Sequence, residues 1–210
     1  MEQPQTYFKN KAYNRPTKVL LRNEVVELFS NIPGSPSVLT FPGEFWETEK
    51  AIIESRRVKN LDPCTFLCVE YDPVVYKKSM INIPNSNIIK VLGSGQVKAG
   101  EIEFKHEEFS EVDYKGLSIN CAWTDFYGQL TNKRIEALVH LWDLVTDYLI
   151  VTTMRGRYST EIYNNIESNG SIGKYLQSLF QNSFILNEYD YGANKPACPM
   201  NETIFSRREI

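Results

Sequence analysis

Acids, aromatics and glycines gather in this chain at the points where apolar runs stop. Five such points are Phe41-Pro42-Gly43-Glu44, Glu70-Tyr71-Asp72, Gly93-Ser94-Gly95, Asp125-Phe126-Tyr127-Gly128, and Thr152, Thr153 and Arg155. A carboxylate so placed accepts both hydroxyls of a ribose in bidentate fashion. Glu70 follows Gly43 by 27 residues, near the ~20-residue offset at which an acid after the second strand of a nucleotide-binding sheet meets the sugar. Asp72 precedes Pro73 and suits a different task, capping a helix whose first residue is the proline. The competing reading of Glu70 is only a solvated strand end.

These residues meet only if the apolar runs are parallel strands whose carboxyl ends share one edge. The pattern supports this. Residues 14–30 (NRPTKVLLRNEVVELFS) space Val19, Leu20, Val25, Val26, Leu28 and Phe29 near the helical period, and NIPGSPS then stops the helix with two prolines and a glycine. SVLTF (37–41) reads as a strand and PGEFWETEKAIIESRR (42–57) as the helix after it. CTFLCVE (64–70) and DPVVYKKSMI (72–81) repeat the order. NIIKVL (87–92) is a third strand, LSINCAW (117–123) a fourth, LTNKRIEALVHLWDLVTD (130–147) a helix and YLIVTT (148–153) a fifth strand. Strands apolar throughout and alternating with helices predict a parallel sheet covered on both faces. NSFILNEYDY and ETIFSRREI close the chain as an antiparallel pair.

The bulk numbers set limits. With 210 residues, 42% of them hydrophobic and 12% aromatic, the chain suffices for one sizeable core, expected as a single unit with a loose stretch over residues 1–13 and a leading helix over 14–30. A net charge of −3 gives no overall positive field for nucleic acid. Local basic faces remain at Lys9, Lys11, Arg15 and Lys18 and at Arg155, Arg157, Arg207 and Arg208; solvated surface is the plainer reading of each. Cys64, Cys68, Cys121 and Cys198 form no Cys-x-x-Cys pair and read as reduced core residues. The opening MEQPQTYFKN lacks the apolar region of a signal peptide, and no apolar run is long enough to cross a bilayer. We therefore expect a soluble, cytoplasmic protein with no membrane partner and no metal; nothing here speaks to its oligomeric state.

From about Val38 to Ile210 the chain resembles the class I S-adenosylmethionine-dependent methyltransferases. VLTFPGEFWETE is similar to the family's first motif, FLCVEYDP to its second, NCAWTDFYG to its fourth, YLIVTT to its fifth, and YDYGANKPACPMNETIFSRRE to its terminal hairpin. The resemblance implies a Rossmann-like α/β fold: three layers around a seven-stranded, mostly parallel sheet with an antiparallel C-terminal hairpin. It implies S-adenosylmethionine as cofactor, held by Phe41, Pro42, Gly43, Glu44, Glu47, Glu70, Tyr71, Gly93, Ser94 and Asp125. Glu44 and Glu47 would lie nearest the methionine end, where an acid pairs with an ammonium; first-turn acids favoured by a helix dipole are the equal alternative. Divergent members from viruses, mobile elements and archaea use a similar Pro-Gly turn.

The Asp125-to-Gly128 loop resembles loops of enzymes that methylate amines of nucleic acids. That resemblance implies Asp125 and Tyr127 as catalytic residues, with Asp125 accepting from an exocyclic amine, and Phe126, Tyr127, Arg155 and Arg157 as substrate-binding residues, an aromatic stacking on a flipped base. A nucleic acid is the partner so implied. Methyl transfer needs alignment more than acid–base help, so His106 and His140 are expected to be structural. Two departures stand out. The family's glycine-rich loop is reduced to Pro42-Gly43 followed by Phe45 and Trp46, and the usual Gly-Asp after the third strand is Gly93-Ser94-Gly95. The bulky turn motivates an alternative, a scaffold without catalysis whose cofactor pocket is filled by Phe45 and Trp46. A small-molecule or protein methyltransferase is a further alternative. A nicotinamide-dependent oxidoreductase fares worst, because no Gly-x-Gly-x-x-Gly follows any strand.

Overall fold

The computed structural model describes residues 16–70, 72–82, 109–126, 128–156, 158–191 and 199–209. In chain order the elements are α1 (Pro16–Ser30), β1 (Ser37–Thr40), α2 (Glu47–Val58), β2 (Thr65–Cys68), α3 (Pro73–Ile81), a 3₁₀ turn (Phe109–Glu111), β3 (Ile119–Asp125), α4 (Asn132–Leu144), β4 (Val145–Met154), α5 (Thr160–Asn169), α6 (Ile172–Leu179), β5 (Phe184–Tyr191) and β6 (Met200–Ser206). The strands form one sheet in the order β2-β1-β3-β4-β6-β5. β2, β1, β3 and β4 run parallel, while β6 is antiparallel to both β4 and β5.

Alternation along the strands divides the core into two layers, because successive side chains leave a strand on opposite faces. Val38, Phe66, Cys121, Ile150 and Ile204 pack with Val25 and Phe29 of α1 and Ile52 of α2. Their neighbours Leu39, Leu67, Ala122, Leu149 and Phe205 pack on the other face with Leu138, Leu141 and Trp142 of α4, Ile162 of α5 and Leu176 of α6. Two-sided burial is why these strands read as unbroken apolar runs. On α1 the buried stripe is Leu21, Val25 and Phe29, with Leu20 turned out at 68% exposure, so that member of the expected apolar set faces solvent. Side-chain caps start most of the later helices: Asp72 Oδ1 accepts from Val74 N and Val75 N, with Pro73 first in α3, and Thr131, Ser159 and Ser171 cap α4, α5 and α6.

The α/β plan and the antiparallel closing pair are present, with corrections of detail. Six strands, not seven, are seen among the described residues; the expected third strand, residues 87–92, lies outside them, as do residues 1–13. α4 stops at Leu144 and the chain enters β4 at once, three residues earlier than the expected strand. β-branched Val145 already pairs with Ile119 of β3, and joining the sheet outweighs another half-turn of helix. Residues 160–179, to which the pattern assigned no element, form α5 and α6, separated by Gly170 at φ 88°. Cys64, Cys68 and Cys121 are buried free thiols, and burial pushes Cys64 up to about 11 and Cys121 well above its ordinary value, so both stay protonated and inert at neutral pH. Cys198 and His106 lie outside the described residues. His140 sits on the exposed face of α4, not within the core.

Candidate functional site

β1 and β3 are neighbours, yet the chain leaves them in opposite directions across the sheet: β2 lies beyond β1 and β4 beyond β3. Helices diverge at such a switch in strand order and open a crevice over the carboxyl ends. A cleft is found there, lined by Phe41 and Gly43 after β1, Thr48 and Glu49 of α2, and Trp123 and Asp125 of β3. Its enclosed part is small, about 10 Å³, and the rest of its space is open mouth.

The turn from β1 to α2 shapes one wall. Trp46 N donates to Gly43 O at 3.3 Å, and Trp46 itself, at φ 55° and ψ 38°, is left-handed, a conformation that costs a bulky residue roughly 1–3 kcal/mol. Burial of its indole offsets this. The ring is fully buried among α1, α2 and the sheet, and Nε1 donates to Ser79 O of α3 at 2.8 Å. Trp46 therefore anchors the turn from behind and does not line the cleft, which removes the reason for reading this loop as a filled pocket; Phe45 is 45% exposed. α3 holds the turn at three further points: Ser79 Oγ to Gly43 O at 3.2 Å, Asn82 Nδ2 to Glu44 O at 3.0 Å, and Lys78 Nζ to Glu44 Oε1 at 2.9 Å.

Three carboxylates enter this region, and the structure sends them to different places. Glu44 is taken by Lys78 and Glu47 Oε2 by Arg22 of α1 at 2.5 Å. Neither of these expected cofactor residues lines the cleft. Glu49 does, and it is 2% exposed. Desolvation raises its carboxyl above the ordinary 4.5, against the opposing hydrogen bond from Thr40. Glu49 was not singled out from the sequence, although a signal existed: Glu49, Ile52 and Arg56 are spaced i, i+3, i+7 and share the buried face of α2.

The other expected residues divide similarly. Phe41, Gly43 and Asp125 line the cleft. Glu70 stands two residues past the end of β2, at the same edge of the sheet, with Oε1 accepting from Asp72 N at 2.7 Å. Tyr71, Gly93, Ser94, Tyr127 and Arg157 lie outside the described residues.

Phe126, expected to stack on a base, is 3% exposed. It meets Phe41 and Phe109 edge to face at 5.5 and 5.2 Å, and the Arg134 guanidinium lies over its ring at 4.9 Å. The loop is also pinned, because Gly128 O accepts from Met154 N at 2.9 Å and Thr153 Oγ1 at 3.0 Å. A Cβ at 128 would come within 2.8 Å of Arg134 Nη1, the far end of a flexible side chain that can shift aside. Arg155 pairs with Asp190 at 2.7 Å. Arg207 lies over the Trp142 ring, 4.0 Å from its centroid, and donates to the Val145, Gln181 and Trp142 carbonyls. Arg208 reaches Asp147 at 3.6 Å. These arginines fasten the C-terminal hairpin to α4 and β4. Behind the cleft Trp123 Nε1 donates to Thr152 Oγ1 at 3.0 Å, and Thr152 Oγ1 donates to Glu202 Oε2 at 2.7 Å, which fixes the indole in the cleft wall. Among the described residues no group of three His, Cys, Asp or Glu is placed to hold a metal, and no helix is long and apolar enough to cross a membrane.

No family model matches the sequence, and no curated protein matches it. Its shape does find likenesses. The N-methyltransferase NodS from Bradyrhizobium japonicum superposes with TM-score 0.59 at 7% identity over 94% of this chain and 99% of that one. Magnesium protoporphyrin IX methyltransferase from Synechocystis, solved with bound S-adenosylmethionine, superposes with TM-score 0.52 at 12% identity over 90% and 79%. Trm5b from Pyrococcus abyssi gives 0.54 at 13% over 92% and 50%. The strand order with its inserted antiparallel β6, the crevice at the switch between β1 and β3, and these superpositions agree: the chain has the fold of the class I S-adenosylmethionine-dependent methyltransferases.

Proposed function

We propose that the protein is an S-adenosylmethionine-dependent methyltransferase. The observation that carries this is the cleft over the carboxyl ends of β1 and β3, lined among the described residues by two carboxylates and no lysine or arginine. A positively charged ligand suits that lining, and the cofactor is one, with a sulfonium and an ammonium. Bound there, it would supply an already activated methyl group.

The chain's own residues bind and orient. Gly43 lets the β1–α2 turn approach a ligand without a side chain in the way, Glu49 and Asp125 present negative charge, and Glu70 at the end of β2 is the ribose acceptor. Asp125 stands at the β3 edge of the cleft, where a carboxylate accepts a hydrogen bond from an amine nucleophile and turns its lone pair toward the methyl group. We propose an amine acceptor on that ground, and a nucleic-acid base as the substrate that the Asp125-to-Gly128 loop suggests. The base has less behind it than the amine, since Phe126 is buried and Arg155, Arg207 and Arg208 are engaged within the fold.

Titration calorimetry with S-adenosylhomocysteine tests the core of this reading. Binding that Glu70→Ala weakens about tenfold, the scale of one charge-assisted hydrogen-bonding contact at roughly 1.4 kcal/mol, is expected. Absence of heat and of any thermal shift would leave the inactive scaffold in its place. Salt-dependent retention of single-stranded RNA or DNA tests the nucleic-acid part.

A further inference from the structure

We propose that Glu49 selects the amino-acid arm of the cofactor by receiving its ammonium group on a carboxylate held at the wall of the cleft. This rests on the methyltransferase reading and adds to it a residue outside the expected set. The argument is one of charge. A buried carboxylate is costly unless an opposite charge or several donors answer it. Glu44 and Glu47, its neighbours in sequence, each have a cation: Lys78 and Arg22. Glu49 has the Thr40 hydroxyl and its own backbone N–H, and among the described residues no lysine or arginine lines the cleft it faces. Lys50, the nearest basic residue in sequence, is exposed, and its charge gives Glu49 the smallest of the favourable contributions, after Thr40 and the backbone N–H.

Position gives a second line of support. Glu49 is the third residue of α2, directly after the turn that the left-handed Trp46 and its bond to Ser79 O hold in place. Trp46 aims the first turn of α2 so that residues 48 and 49 border the cleft while Glu47 faces α1. Asp125 borders the same cleft from β3, so a cation entering it meets acids from both walls.

Two probes separate this assignment from the reading beneath it. S-adenosylhomocysteine carries the amino-acid arm, and 5′-methylthioadenosine lacks it. Glu49→Gln is expected to weaken S-adenosylhomocysteine at least tenfold and leave methylthioadenosine within twofold of wild type, while Glu70→Ala weakens both. Glu49→Gln should melt at or above the wild-type temperature, because an isosteric amide is cheaper to bury than a carboxylate; Glu49→Asp, which keeps the charge but withdraws it, should bind S-adenosylhomocysteine with intermediate affinity. Equal loss for both probes, or no loss for either, overturns the assignment and leaves the methyltransferase reading standing. Failure of wild type to bind either probe overturns both.

Discussion

The two ends of α2 each bury a charge, and they treat it differently. At the C-terminal end Arg56, 1% exposed, donates to four carbonyls: Asp62 O at 2.6 Å, Ser30 O at 3.1 Å, Ile32 O at 2.7 Å and Gly34 O at 2.5 Å. Four of the five guanidinium N–H groups are spent on the loops leaving α1 and α2, which have no regular ladder to satisfy their own acceptors. At the N-terminal end Glu49 is as deeply buried but faces a cleft, with a hydroxyl and one amide as donors. A charge saturated by backbone is a fastening. A charge with few donors beside an opening carries a desolvation cost that the fold bears, and an incoming cation would relieve it.

That contrast breaks most visibly at Arg56. Removing the guanidinium in Arg56→Ala strands buried carbonyls on two loops and should lower stability by about 3–5 kcal/mol, read as the midpoint of urea unfolding. A loss below about 1 kcal/mol would mean that water replaces the side chain and that Arg56 is no more structural than Glu49.

Glu49 should move the other way, with a pH signature. Its carboxyl is raised above 4.5 by burial in the fold, so the folded state holds that proton more tightly than the unfolded chain. The penalty is therefore absent below the ordinary 4.5, grows as pH rises through the raised value, and is complete above it. The melting difference between Glu49→Gln and wild type is expected to be near zero in acid and increasingly positive toward neutrality. A flat difference would show that Thr40 and the helix N-terminus already satisfy the carboxylate, and the comparison would lose its point.

The smallest effect belongs to the Arg155–Asp190 pair, whose side chains are 43% and 50% exposed. Exposed pairs contribute at most about 1 kcal/mol, so Arg155→Met should shift the melting curve little. Any larger effect on retention of single-stranded nucleic acid would restore Arg155 to the substrate role its place after β4 suggested.

Much of the architecture was legible because its signals are local. Unbroken runs such as FLCV and LIVTT mark strands buried on both faces, Asp72-Pro73 marks a helix start, and NIPGSPS marks a stop. The site was legible only as an edge. Phe41, Gly43 and Asp125 reach the cleft because strand ends converge wherever strands are parallel and adjacent. Glu44, Glu47 and Glu49 are alike in type and lie within six residues of one another; the spacing of Glu49 with Ile52 and Arg56 marks a shared helix face, but not that this face borders a cleft. Phe126 reads as an aromatic on a loop, and only the pocket made by Phe41, Phe109 and Arg134 shows it to be core.

The sequence by itself determined most of the described strands and helices, though not α5 and α6, and that β1 to β4 lie parallel between two helical layers with an antiparallel pair closing the sheet, since burial period and capping act over a few residues. The tertiary structure alone decided which acid meets the cleft and which meets a cation. That choice depends on the direction in which α2 leaves a left-handed tryptophan, and the direction is set by a hydrogen bond and a packing surface 33 residues further along the chain.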